Sequence, residues 1–152
     1  MQMKLLSDQV QTTLAIGQTI GRYAPIPTVF TLSGNLGAGK TTLTKGIAKG
    51  LGITTMVNSP TFNICKIYHG NHKLVHIDAY RLDPNCDELG FEEEMDDALT
   101  VIEWSENTDM VLIDPIAIRI DVNADDSRTL TIDWVNETRY DQLIKELQQW
   151  SH

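Results

Sequence analysis

The chain is 152 residues long, 41% hydrophobic and 22% charged, a balance that suits one soluble globular domain with its own core. Its 21 acids against 12 Lys and Arg leave a net charge of −9, which argues against tight, autonomous binding of RNA or DNA because phosphate neutralisation needs spare cations. Cys65 and Cys86 form neither a disulfide framework nor a zinc pattern, and no apolar run approaches a membrane span or a signal-peptide core, so no membrane role and a cytoplasmic location are expected.

In chain order, Ser7-Asp8 reads as an N-cap with an acidic first turn, opening a helix with Val10, Leu14, Gly17 and Gly21 on one face. Pro25 and Pro27 end that pattern. Thr28-Val29-Phe30-Thr31-Leu32 has the β-branched and aromatic profile of a buried strand, and Leu43, Ile47, Ala48 and Leu51 then recur at helical spacing until Gly50 and Gly52. Residues 61–69 and 73–79 read as two strands joined by the turn His-Gly-Asn-His, an antiparallel hairpin. Asp87 to Leu99 reads as an acidic helix, followed by a short strand at Thr100-Val101-Ile102. Ile116–Val122 and Thr129–Val135 form a second hairpin, and Leu143, Ile144, Leu147 and Trp150 mark a last amphipathic helix. The expected fold is α/β: a three-layer P-loop NTPase type with a mixed, partly antiparallel central sheet flanked by helices, residues 1–152 forming a single domain.

Between the first strand and its helix stands Gly34-Asn35-Leu36-Gly37-Ala38-Gly39-Lys40-Thr41-Thr42, a complete phosphate-binding (Walker A) loop, G-x-x-x-x-G-K-S/T. Its glycines let successive backbone N–H groups curl around a phosphate, and the helix N-terminus adds positive dipole. Lys40 brings a point charge to the β/γ-phosphates and Thr41 can hold Mg²⁺. The expected ligands are therefore ATP or ADP with Mg²⁺. No N/T-K-x-D guanine-reading motif occurs, so adenine nucleotides are expected over guanine ones, with the segment Ser7–Thr12 as a candidate for the base pocket. A phosphate loop also needs an acid at the end of a neighbouring apolar strand, to hold the metal or its water. Three residues close such runs: Asp78 after Leu74-Val75-His76-Ile77, Glu103 after Leu99-Thr100-Val101-Ile102, and Asp114 after Met110-Val111-Leu112-Ile113. His76 reads as a packing or hydrogen-bonding residue beside Asp78.

Four blocks resemble, in order, the TsaE (formerly YjeE) family, bacterial ATPases needed to make threonylcarbamoyladenosine in tRNA. The loop is similar to the family's G-D-L-G-A-G-K-T-T, and Asn58-Ser59-Pro60-Thr61-Phe62 to its S-P-T-F/Y segment. His76-Ile77-Asp78-Ala79-Tyr80-Arg81-Leu82 resembles H-F/I-D-x-Y-R-L, and Asp87-Glu88-Leu89-Gly90-Phe91 leading to Ile102-Glu103-Trp104 resembles E-L-G then I/V-E-W. Gly17 fits the family's N-terminal helix. The resemblance implies Lys40 on the β/γ-phosphates, Thr41 on Mg²⁺ and Thr42 supporting the loop. It places Asp78 and Glu103 on the metal or the attacking water, which demotes Asp114. It makes Ser59, Pro60 and Thr61 a segment that responds to nucleotide and sets Trp104 near the nucleotide. Asn35 departs from the family's usual Asp and removes one negative charge beside the phosphates. The implied partners are the TsaD–TsaB heterodimer, with tRNA engaged only indirectly, and the implied activity is ATP hydrolysis, weak in the isolated chain and stimulated by those partners.

Two other classes compete. A small-molecule P-loop kinase usually closes an arginine-rich lid over the phosphates, whereas Arg22, Arg81, Arg119, Arg128 and Arg139 are scattered here. A nucleotide-gated binding module without useful hydrolysis is the other. The 7 acids between Asp87 and Asp97 read as a solvated helix face, with a docking surface for a basic partner as the alternative. Asp121-x-Asn123-x-Asp125 imitates an EF-hand start, but Asp126 replaces the glycine and Ile132 the closing glutamate, which argues against calcium.

Overall fold

The computed structural model describes residues 1–35, 37–55, 57, 65–78, 91–103 and 112–151, with the side chains of 91 and 92 left aside. Seven strands form one sheet: β1 (Gln2–Ser7), β2 (Thr28–Gly34), β3 (Cys65–Tyr68), β4 (Lys73–Asp78), β5 (Ala98–Glu103), β6 (Ile116–Val122) and β7 (Arg128–Asp133). Their spatial order is β1-β7-β6-β2-β5-β4-β3. β2 lies between β5 and β6, parallel to both, and β4 is parallel to β5. The β3–β4 and β6–β7 hairpins and the β1–β7 pair are antiparallel, so the sheet is mixed.

Helices α1 (Val10–Tyr23), α2 (Lys40–Gly50) and α4 (Glu137–Leu147) cover one face. Their Ile16, Ile20, Leu43, Ile47, Tyr140 and Leu143 join Phe30, Leu32, Leu99 and Val101 in the main core. On the other face, Met95 of the short α3 (Phe91–Met95) packs with Val75, Ile77, Ala98 and Ile102. Every residue of β5 is buried, as a parallel strand covered on both faces requires. β6 instead alternates, with Ile116, Ile118 and Ile120 buried between exposed Ala117, Arg119 and Asp121, so the sheet faces water there.

α1 and α2 pack at backbone contact. Gly17 and Gly21 of α1 face Gly46 and Gly50 of α2. A Cβ on Gly17 would stand 2.9 Å from Gly46 Cα, and one on Gly46 3.0 Å from Gly17 Cα and against the Leu14 carbonyl oxygen. Four small residues thus let the helix behind the phosphate loop sit directly on its neighbour.

Several sequence expectations shift. Residues 2–7, which carry no clear strand signal in the sequence, form an edge strand, and Ser7 ends it instead of capping α1. The Ser7 hydroxyl donates to the Gln9 carbonyl at 3.0 Å and lies 2.6 Å from Thr13 Oγ1, while Gln9 is the N-cap and the first turn carries no acid. The buried face of α1 is Thr13, Ile16, Gly17, Ile20 and Gly21, and Val10 is exposed. The acidic helix stops at Met95, and Ala98 and Leu99 belong to β5 because both are fully buried in the sheet. The expected run 110–113 ends without a strand: among its described residues, Leu112 and Ile113 are irregular and Ile113 is 81% exposed. Two members of the acid run do not face water alone, since Glu94 and Asp97 clasp Lys73 of β4 at 2.7 and 2.6 Å. These bonds raise the Lys73 pKa and lower that of Asp97.

Cys65, packed on the α3 face, has its thiol pushed up to about 11 by burial and secondarily by the Glu94 charge. A Cys86→Ser chain should therefore react with a disulfide reagent at pH 8 about tenfold more slowly than a thiol of ordinary pKa 9.0, the roughly hundredfold smaller thiolate fraction being partly offset by a more nucleophilic thiolate. The rate should climb about tenfold per pH unit up to pH ~10, and a flat, fast profile would show an accessible thiolate.

Candidate nucleotide site

The phosphate loop leaves the C-terminal end of β2, at the centre of the sheet and flanked by two parallel strands, the end at which open α/β sheets bind ligands. Gly37 (φ 82°) and Gly39 (φ 114°) adopt conformations that side chains avoid, while an added Cβ at either would meet nothing within 4 Å. Their role is therefore conformational, bending the chain so that α2 begins at Lys40. Ala38 N–H donates to the Asn35 carbonyl at 3.0 Å and closes the turn. Leu36 lies outside the described residues; Asn35 is exposed.

Lys40 is 8% exposed, and its ammonium donates to the Gly34 carbonyl at 3.0 Å. It also stands 4.0 Å from Glu103 Oε1. Three apolar runs end in an acid, and strand direction separates them as the family motifs do. Asp78 pairs in register with Glu103, and Glu103 with Leu32, so both carboxylates sit at the phosphate-loop end of adjacent parallel strands. Asp114 precedes β6, whose Ile116 pairs with Phe30, and so lies toward the opposite end of the sheet. There it lines a cavity of about 480 Å³ with Pro27, Val29, Met95, Leu112 and Arg139, and its carbonyl accepts the Tyr140 hydroxyl at 2.8 Å.

The site carries two residues that sequence reasoning did not assign to it. His76, fully buried, places Nε2 2.8 Å from Glu103 Oε2. Arg128, at the start of β7, donates from Nε to the Ala38 carbonyl at 3.1 Å, bracing the loop from the side. The β6–β7 turn that carries Arg128 is held by Asp125, whose carboxylate accepts the Ser127 N–H at 3.0 Å and hydroxyl at 2.6 Å, and these bonds lower its pKa. Ser7 pairs with Arg128, so the segment Ser7–Thr12 emerges at the phosphate-loop end. Ser59, Pro60, Thr61 and Trp104 lie outside the described residues.

The donors at this end are hard oxygens: the Thr41 hydroxyl in the first turn of α2 and the carboxylates of Asp78 and Glu103. No cluster of three or more His, Cys, Asp or Glu suited to a metal occurs among the described residues. That donor set fits Mg²⁺, which is held by one or two carboxylates together with phosphates and water instead of by an all-protein cage.

No helix among the described residues is long and apolar enough to cross a membrane. The family model described as "Threonylcarbamoyl adenosine biosynthesis protein TsaE" matches residues 7–131. The Bacillus subtilis protein named "tRNA threonylcarbamoyladenosine biosynthesis protein TsaE" is 40% identical over 149 residues, covering 96% of this chain and 94% of that protein. The Treponema pallidum protein of the same name is 37% identical over 134 residues, covering 86% and 99%. The crystal structure of Bacillus subtilis YdiB superimposes with a TM-score of 0.80 at 36% identity over 98% of this chain and 95% of that one. With the phosphate loop, the two strand-end acids and the mixed sheet in one frame, and with identity of this order along almost its whole length, the chain belongs to the TsaE family.

Proposed function

We propose that residues 1–152 act as a single-domain, cytoplasmic, Mg²⁺-dependent ATPase in the biosynthesis of threonylcarbamoyladenosine in tRNA, working with the TsaD–TsaB heterodimer. The observation that carries this reading is the convergence of Lys40 and Glu103 at the phosphate-loop end, both buried and 4.0 Å apart. Lys40 turns from the Gly34 carbonyl toward the β/γ-phosphates when ATP enters, while loop N–H groups and the α2 dipole hold the remaining charge. Bound magnesium supplies neutralisation of the charge that develops on the transferred γ-phosphoryl group. Thr41, Asp78 and Glu103 provide the oxygens for it and for orienting the attacking water. Ser59, Pro60 and Thr61 respond to the nucleotide, and Trp104 lies near it.

The scarcity of cations gives the partners their place. Arg128 braces loop backbone through Ala38, and Arg119 is tied to Asp121 at 3.0 Å. A site so constituted should be slow alone and faster once a partner adds charge or orders a loop. The net charge of −9 keeps tRNA at a distance from the isolated chain. The test measures ATP turnover for the chain alone, with TsaD–TsaB, and with tRNA only. Stimulation by the heterodimer is expected; stimulation by tRNA alone, with none from the proteins, overturns the partner assignment. Equal or tighter binding of GDP than of ADP in calorimetry overturns the choice of base.

A further inference from the structure

His76 occupies a costly position. It is fully buried in β4, and its Nδ1 has no hydrogen-bond partner among the described residues. A buried polar atom left unpaired costs about 1–3 kcal/mol, which an aliphatic side chain at this position would avoid. The other ring nitrogen lies 2.8 Å from Glu103 Oε2. An ionised carboxylate only accepts, so the proton sits on Nε2 and the ring donates. His76 pairs in register with Val101 and Asp78 with Glu103, so the bond runs diagonally across adjacent strands on the face that leads to the phosphate loop. The second Glu103 oxygen is the one 4.0 Å from Lys40.

We propose that His76 is a positioning residue for the hydrolytic site, its Nε2–H fixing one oxygen of Glu103 so that the other stays directed at the phosphate loop. Its role runs through Glu103. A glutamate has several rotatable bonds, and a carboxylate that must orient water or a metal-bound ligand works only within a narrow range of positions. Ligating and catalytic carboxylates are commonly locked by such outer hydrogen bonds. The inference rests on the ATPase reading given above.

Its test uses the intact chain with TsaD–TsaB, so that turnover is measurable, together with nucleotide titration and thermal melting of each variant. His76→Leu should lower kcat about tenfold or more while the KM for ATP stays within about threefold, because binding is carried by the loop. His76→Gln can bring an amide N–H to where Nε2 lies and should recover most of that loss; His76→Asn carries its amide too close to the backbone and should not. The double variant His76→Leu/Glu103→Gln should be no slower than Glu103→Gln alone, within about twofold, if His76 acts through Glu103. Equal kcat in wild type and His76→Leu, equal impairment of the Gln and Asn variants, or additive losses in the double variant would each overturn the proposal. If His76→Leu fails to fold, the Gln–Asn comparison decides. A wild-type chain that turns over no ATP with its partners removes the ATPase reading and this role with it.

Discussion

Lys40→Ala is expected to weaken ATP binding roughly tenfold to hundredfold, the loss of one charge-assisted contact worth about 1.5–3 kcal/mol. The structure adds a second effect of the same substitution. Glu103 is 7% exposed and is flanked by Lys40 and His76. Removing the ammonium leaves a buried carboxylate with the His76 bond but without the Lys40 charge, which should cost about 1 kcal/mol of stability in the nucleotide-free chain. The two effects separate experimentally. Titration with a fluorescent ATP analogue reads the first, and thermal melting without nucleotide reads the second. Unchanged ATP affinity in a folded Lys40→Ala chain would remove the phosphate-loop assignment.

Gly46→Val should destabilise the chain by about 3 kcal/mol or more, lowering Tm by about 6–12 °C. The reason is the α1–α2 crossing, where the added Cβ would meet backbone instead of a movable side chain. Gly46→Ala gives a sharper test of sign. Helix propensity alone predicts stabilisation of about 1 kcal/mol, because Gly46 is interior to α2. Contact with the Leu14 carbonyl and Gly17 Cα predicts a net loss. A higher Tm for Gly46→Ala would show that the helices separate easily. A lower one is expected, with weaker nucleotide binding, since α2 carries Lys40 and Thr41 in its first turn.

What could be read beforehand followed from local pattern. The phosphate loop, its flanking strand and helix, and the two hairpins are each specified by residues adjacent in the chain. The choice of Glu103 and Asp78 over Asp114 needed either family motifs or strand direction, because three apolar runs end in an acid with the same local appearance. β1 was illegible because Met1, Met3, Leu5 and Leu6 do not alternate cleanly and only Leu5 and Ser7 are buried within it. The sequence pattern carries the acidic helix through Leu99 because an acidic amphipathic run and a fully buried strand meet there without a Gly or Pro between them. His76–Glu103 and Arg128–Ala38 join residues 27 and 90 apart in sequence, and no spacing rule reaches that far. Arg128 in particular looked like one of several scattered arginines, and only the β6–β7 hairpin brings it to the loop.

The order of strands also governs the sequence of events by which the chain acquires its shape. β1 pairs with β7, Gln2 against Asp133, so β1 cannot find this neighbour until the chain through β7 has followed it. β2 is little better placed, since its neighbours β5 and β6 begin at Ala98 and Ile116. What can associate early is α1 with α2, close in sequence and matched by their glycines. A contact pattern of this kind slows folding, because long segments must close before the sheet returns any free energy. In the interval the hydrogen-bonding edges of β1 and β2 themselves stay unpaired and open to other chains, which makes the nascent protein more vulnerable to association than the finished one.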